Sequence, residues 1–191
     1  MTAQELLDGQ NKHRLTVEEF LMLDRAGAFG MRSAELFGGE VYYMSPKHRP
    51  HARTVGDLYF CIRQALEAGD TGLSVLTDIS VRLSDHDAPE PDIVITNAPD
   101  GEGILPLEAA KLVIEVADST LATDLGPKAD LYAAAGVPEY WVVDVEERRV
   151  LMHAHPREDA SGYDGQIDVP FGEPLHAATI EGLAVETSGL N

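Results

Sequence analysis

Two carboxylates and one lysine, Asp92, Glu115 and Lys128, stand in stretches that otherwise read as buried core. Asp92 follows Pro91 and precedes Ile93-Val94-Ile95. Proline is tolerated at a strand's first residue and a β-branched run follows it, so Glu90 to Ile95 predicts a strand with a carboxylate at its entrance. Glu115 lies in the middle of Leu112-Val113-Ile114-Glu115-Val116-Ala117, a run too apolar on both faces for an exposed sheet, which predicts a strand covered on both sides. An ionised carboxylate there is costly unless a cation, a proton or several donors compensate it. A divalent metal shared with Asp92 is the simplest compensation. Lys128 belongs to a predicted helix running from Gly126 to Pro138, with Pro127 suited to the first turn and Gly136 followed by Pro138 as the stop. The spacing of Lys128, Leu131, Tyr132 and Ala135 turns the lysine toward the sheet. An ammonium so placed is either a structural counter-ion of Glu115 or a group that handles developing negative charge. Asp124, four residues before it, either caps the helix or ties the lysine down.

These residues need elements to hold them, and the sequence punctuates those elements well. Thr16-Val17-Glu18-Glu19 is a capping-box pattern that predicts a short helix from Val17. Glu35-Leu36-Phe37 and Val41-Tyr42-Tyr43-Met44 flank Gly38-Gly39 and predict a hairpin, with Glu40 opening its second strand. Lys47, His48, Arg49, His51 and Arg53 form the one dense basic patch, which leads into a helix near Ala52 to Leu66. The apolar face of that helix is Val55, Leu58, Tyr59, Ile62 and Leu66, extended by His51, and the positive end of its dipole lies beside the patch. The patch is either an anion site or a solvated basic turn. Val75, Thr77, Ile79, Val81 and Leu83 alternate as one strand, and Asp85 to Pro89 join it to the Asp92 strand as a hairpin. After the Lys128 helix, Glu139 to Asp144 and Arg149 to Ala154 read as two strands joined by a charged turn. The remainder to Asn191 reads as weakly structured strands and loops. His153 and His155 share a strand face with no third zinc ligand in view, and Tyr132, Tyr140 and Trp141 read as core aromatics.

Length and composition bound the rest. A chain of 191 residues with 44% hydrophobic content suits one sizeable core, so residues 1–191 are expected to form a single domain. A net charge of -19 opposes non-specific attraction to phosphate backbones and anionic membranes. The single cysteine, Cys61, excludes an internal disulfide framework and fits a reducing cytoplasm. Met1 to Asp8 lacks the pattern of a secretory signal, and no apolar run approaches a membrane span.

From Ala52 to Asp144 the expected order is helix, strand, strand, strand, helix, strand, a mixed α/β arrangement. This αβββαβ order resembles the core of the PD-(D/E)XK, or restriction-endonuclease-like, nucleases. The chain is more closely similar to the bacterial Uma-type restriction-endonuclease family over roughly Leu15 to Leu183. The likeness rests on Gly39-Glu40 with Met44-Ser45-Pro46, His51, Pro91-Asp92, Glu115-Val116 with Ser119-Thr120, Asp124 with Lys128 and Tyr132, and Gly136-Val137-Pro138-Glu139-Tyr140-Trp141-Val142-Val143-Asp144. It implies the restriction-endonuclease-like core with an N-terminal helix and β-hairpin and a C-terminal β extension. It further implies Mg²⁺- or Mn²⁺-assisted hydrolysis of DNA phosphodiester bonds. Asp92, Glu115 and the backbone carbonyl of Val116 would bind the metal, with Glu40 as a further contact. Lys128 would assist the attacking water, and His51, Lys47, Arg49 and Arg53 would meet the substrate. A homodimer would suit double-strand cleavage. Two departures stand out: Ala117 occupies the place of the simple motif's lysine, and Ala117-Asp118 replaces a common Ser-Pro. Two other functions fit the same residues. One is an inactive nuclease-fold protein whose acidic surface binds proteins; the other is a metallohydrolase of a smaller phosphate substrate.

Overall fold

Helix α1 (Val17–Arg25) starts where its capping box directs: the Thr16 hydroxyl accepts the Glu19 N–H and the Glu19 carboxylate accepts the Thr16 N–H. The structure is a computed structural model that describes residues 12–190, so the N-terminal stretch Met1 to Asp8 lies outside the described residues. Strands β1 (Ala34–Phe37) and β2 (Glu40–Tyr43) form the expected hairpin, turning at Gly38-Gly39, both with positive φ. Helix α2 (Arg49–Gly69) begins earlier than expected, because Pro50 fits a first turn that needs no amide hydrogen.

Strands β3 (Ser74–Thr77), β4 (Val81–Arg82), β5 (Ile93–Thr96), β6 (Leu105–Pro106) and β7 (Ala110–Ala117) follow. The alternating run from Val75 to Leu83 is therefore two strands, not one. It breaks at Asp78, which adopts φ 50°, a left-handed conformation that aspartate tolerates better than most residues. Beyond the break β4 leaves the main sheet and pairs in parallel with β6.

The segment carrying Lys128 also starts earlier than expected. It runs through α3 (Leu121–Thr123), a π-type turn (Asp124–Lys128) and α4 (Ala129–Ala135), stopped by Gly136 at φ 82°. Pro127 lies inside the widened turn, where its missing amide hydrogen is accommodated, and is not the helix start. Strands β8 (Glu139–Asp144), β9 (Arg149–Pro156), β10 (Tyr163–Pro170), β11 (Leu175–His176) and β12 (Ala184–Val185) complete the described chain. The C-terminal part is thus better ordered than its composition suggested, with eight-residue β10 paired antiparallel along β9.

The central sheet has six strands in the order β10-β9-β8-β7-β5-β3; β7 and β8 are parallel and the remaining neighbours antiparallel. The αβββαβ core is α2, β3, β5, β7, α4, β8, a mixed α+β architecture. One sheet face packs Ile93, Ile114, Val116 and Trp141 against Leu58 and Ile62 of α2 and the C-terminal segment; Cys61 is half-buried there as a free thiol. The opposite face packs Val94, Val113 and Tyr140 against Tyr132 and Ala133 of α4. Glu139 is buried with four donors on its carboxylate: the Trp141 indole, the N–H groups of Ala178 and Thr179, and the Thr179 hydroxyl. It satisfies its charge by pinning the C-terminal segment to β8. Among the described residues no helix is long and apolar enough to cross a membrane.

Candidate active site

The register of the sheet brings the two sequence-marked carboxylates together. Strands β5 and β7 pair antiparallel up to Ile93 opposite Ile114, and just beyond that pair the Asp92 carboxylate accepts the Val116 N–H of β7, next in sequence to Glu115. Both are nearly inaccessible, at 5% for Asp92 and 4% for Glu115, yet both line one open cavity of about 280 Å³.

Asp92 is held from three sides. Its Oδ2 accepts the backbone N–H of Val116 at 2.8 Å and faces His51 Nε2 at 3.1 Å, while Oδ1 lies 3.0 Å from Lys47 Nζ. An ionised carboxylate only accepts, so Nε2 carries the hydrogen, and among the described residues the buried His51 Nδ1 has no partner. Burial alone would raise Asp92, but the hydrogen bonds from His51 and Val116 and the nearby Lys47 outweigh it and hold the carboxyl below its ordinary value. Lys47 also bonds Asp78, so the break after β3 delivers a second carboxylate to the rim.

Glu115 Oε1 accepts Lys128 Nζ at 2.9 Å and the Tyr132 hydroxyl at 3.0 Å; Oε2 accepts no hydrogen bond among the described residues. Lys128 also lies 3.6 Å from Glu35 Oε1 and 4.0 Å from Asp124 Oδ1. Burial pushes Glu115 up to about 8 against the attraction of Lys128, with repulsion from Asp92 and Asp124 adding to it. Burial would lower Lys128, but Glu115, Glu35 and Asp124 together keep it firmly protonated. Burial likewise raises Glu90 to about 7, helped by Asp78, and moves Asp124 upward despite the bond from Thr120.

Glu35 and Glu90 are site residues that sequence reasoning passed over. Glu35 reaches in from β1 and accepts the Glu90 N–H at 2.9 Å, across 55 residues of sequence. The available signal was a carboxylate flanked by apolar residues in a predicted strand. Of the residues marked beforehand, Asp92, Glu115, Val116, Lys128, Lys47, His51 and Asp124 line the cavity. Glu40, Arg49 and Arg53 are exposed and do not line it; Glu40 instead accepts the Tyr42 hydroxyl at 3.3 Å. Tyr132, Tyr140 and Trp141 are fully buried core aromatics.

Six carboxylates, Glu35, Glu90, Asp92, Asp118, Glu115 and Asp124, line a cavity that has only two lysines. Among the described residues no group of three or more His, Cys, Asp or Glu side chains is poised around one metal position. The donor set therefore does not match an all-protein cage. It does fit Mg²⁺, which is commonly held by one or two carboxylates and completes its shell with water and substrate phosphate.

The raised carboxyls set a pH dependence for the metal-free protein. Between the ordinary carboxyl value near 4.5 and about 8, the folded state keeps protons on Glu115, and up to about 7 on Glu90, that the unfolded chain releases. Stability therefore falls as pH rises through that window. Asp92 acts in the opposite sense, but only as pH falls below the ordinary aspartate range. Melting in EDTA should drop by at least about 3 °C between pH 5 and pH 8. Mg²⁺ should recover more of that loss at pH 8 than at pH 5.5, because metal binding needs the deprotonated carboxylate. A flat profile in EDTA would show that Glu115 and Glu90 are ionised throughout.

Comparison with known proteins followed from this geometry. A family model described as "Putative restriction endonuclease", Uma2, matches residues 17–188. A solved structure from Anabaena variabilis, described as "a putative nuclease belonging to DUF820", superposes with a TM-score of 0.67 at 16% identity, covering 92% of this chain and 97% of that one. At that identity the likeness shows the fold. The curated proteins hold no match to the chain. With the family model covering nearly all of the described residues, the chain belongs to the Uma2 family.

Proposed function

We propose that this protein is a metal-dependent nuclease hydrolysing DNA phosphodiester bonds, with Mg²⁺ or Mn²⁺ held by Asp92 and Glu115. The observation that carries the reading is the meeting of these two buried carboxylates in one cavity, with Lys128 Nζ 2.9 Å from Glu115. The chemistry such a cation supplies is neutralisation of phosphate charge and a more acidic water. Asp92 is prepared for that role by His51 and the Val116 N–H, which keep it ionised and aim its carboxylate. Lys128, kept charged by its acidic neighbours, is the group that meets negative charge developing on the phosphate. It does from the helix what the motif lysine, replaced here by Ala117, does from the strand. Lys47 at the cavity mouth and His51 beside it orient the incoming phosphate. The modest cavity and the net charge of -19 favour a second reading, a metallohydrolase of a smaller phosphate ester.

The test is cleavage of supercoiled plasmid and of a single-stranded oligonucleotide at low salt with Mg²⁺ or Mn²⁺. Cutting is expected with metal and none with EDTA. Failure to cut either substrate with either metal would overturn the nuclease reading, and hydrolysis of p-nitrophenyl phosphate in its place would establish the second.

A further inference from the structure

The hairpin that carries Glu35 into the site also carries an aromatic pair. In the β1–β2 register Glu35 stands opposite Tyr42 and Phe37 opposite Glu40, so all four side chains leave the same face of the hairpin. Leu36 and Val41 leave the other face and pack with Val17, Phe20 and Ala88. Glu35 ends 3.6 Å from Lys128, so its face is the one that looks onto the cavity, and Phe37 and Tyr42 line that cavity too. Their rings meet edge to face at 5.6 Å, and the Tyr42 hydroxyl is tied to Glu40. Tyr42 nevertheless remains 50% exposed. Its neighbour Tyr43 is on the opposite face, where Arg32 covers the ring at 3.6 Å and Phe29 meets it. Tyr43 lines the cavity too and is 45% exposed, but Arg32 occupies a face of its ring, so among the described residues Tyr42 is the exposed lining aromatic without a cationic cover.

Resting on the nuclease reading, we infer that Tyr42, backed by Phe37, is a stacking platform for an unpaired nucleobase and that the substrate is single-stranded DNA. Phe37 lies two residues along β1 from Glu35, about 7 Å further out, so the platform suits a base close to the phosphate held at Lys128. Stacking needs no phosphate neutralisation and tolerates any base. That suits a protein with a net charge of -19, for which neutralised phosphates are a weak source of affinity. In a duplex the base faces are buried in the stack, out of reach of a hairpin side chain.

The experiment compares a short single-stranded oligonucleotide with its duplex, each carrying 2-aminopurine at successive positions. Fluorescence quenching is read on mixing and cleavage kinetics are read in Mn²⁺. Wild type should quench the single strand and prefer it to the duplex. Tyr42→Ala should abolish the quench and raise KM for the single strand about tenfold, with a smaller effect on kcat. Tyr42→Phe, which keeps the ring, should restore most of the loss. A duplex preference, or a Tyr42→Ala variant with unchanged quench and KM, would overturn the platform while leaving the nuclease intact. If wild type cuts nothing, the nuclease reading fails separately. The quench then decides the platform: lost in Tyr42→Ala it stands, absent in wild type it falls.

Discussion

Well above pH 8, where the wild-type Glu115 carboxyl is ionised, Lys128→Ala is expected to lower the unfolding free energy by about 3–5 kcal/mol, because it strands Glu115 without its cation, and it should abolish cleavage. The lysine side chain is only 14% exposed, and its ammonium serves three carboxylates, Glu115, Glu35 and Asp124. With it gone, Glu115, 4% exposed in the intact protein, keeps one neutral donor, the Tyr132 hydroxyl. Urea denaturation in EDTA at about pH 9.5, above the Glu115 value of about 8, measures the loss. A merely bulky role for the lysine is separated by the double variant Lys128→Ala, Glu115→Gln. Removing the unpaired charge should return a large part of the stability, leaving cleavage at background. If the single variant instead unfolds within about 1 kcal/mol of wild type, the Glu115 carboxyl is taking up a proton at little cost and the pair is not structural. Lys128→Arg is no rescue: a planar fork cannot take the place of a compact ammonium among three carboxylates held by separate elements.

The parts of this site that were legible in the sequence are those whose local context is anomalous. Glu115 interrupts an apolar run, Asp92 opens one, and Lys128 lies on the apolar side of a helix, so each breaks a pattern that periodicity makes visible. Glu35 was missed for the opposite reason. In a hairpin one face is expected to be polar, and only the three-dimensional placement shows that this polar face looks inward. Glu90 stood at the start of a predicted strand and Asp78 on the polar side of an alternating one, positions where an acidic residue breaks no pattern. The order of the core elements was readable because β5, β7 and β8 are buried on both faces. β10 escaped notice because it is an edge strand: only Tyr163 of its residues is buried, and the alternation of Tyr163, Ile167 and Val169 is interrupted by Gly165 and stopped by Pro170. The break at Asp78 was invisible since the alternation of apolar residues continues across it. The early start of the Lys128 segment was masked by Pro127, which looks like a first-turn residue and is found inside a π-type turn.

Asp92→Asn changes charge with almost no change in shape, and it should cut the cleavage rate by at least about 10³-fold, equivalent to roughly 4 kcal/mol of lost transition-state stabilisation. The fold should survive, since an amide can still accept from His51 or from the Val116 N–H, and the native stability near pH 7 should stay within about 1–2 kcal/mol of wild type. Loss of activity alone would not separate a metal ligand from a positioning residue, so two further readouts matter. The first is thermal protection by Mg²⁺, which should disappear if Asp92 holds the cation. The second is the pH profile of the metal-free protein. The Asp92 charge is one of the causes that raise Glu115, so neutralising it brings the folded Glu115 carboxyl closer to its ordinary value. The loss of stability between pH 5 and pH 8 should therefore become shallower in Asp92→Asn than in wild type. An inactive variant with undiminished Mg²⁺ protection would move the metal away from Asp92. An unchanged pH slope would show that Asp92 and Glu115, though they line one cavity, are electrically separate and do not form one site.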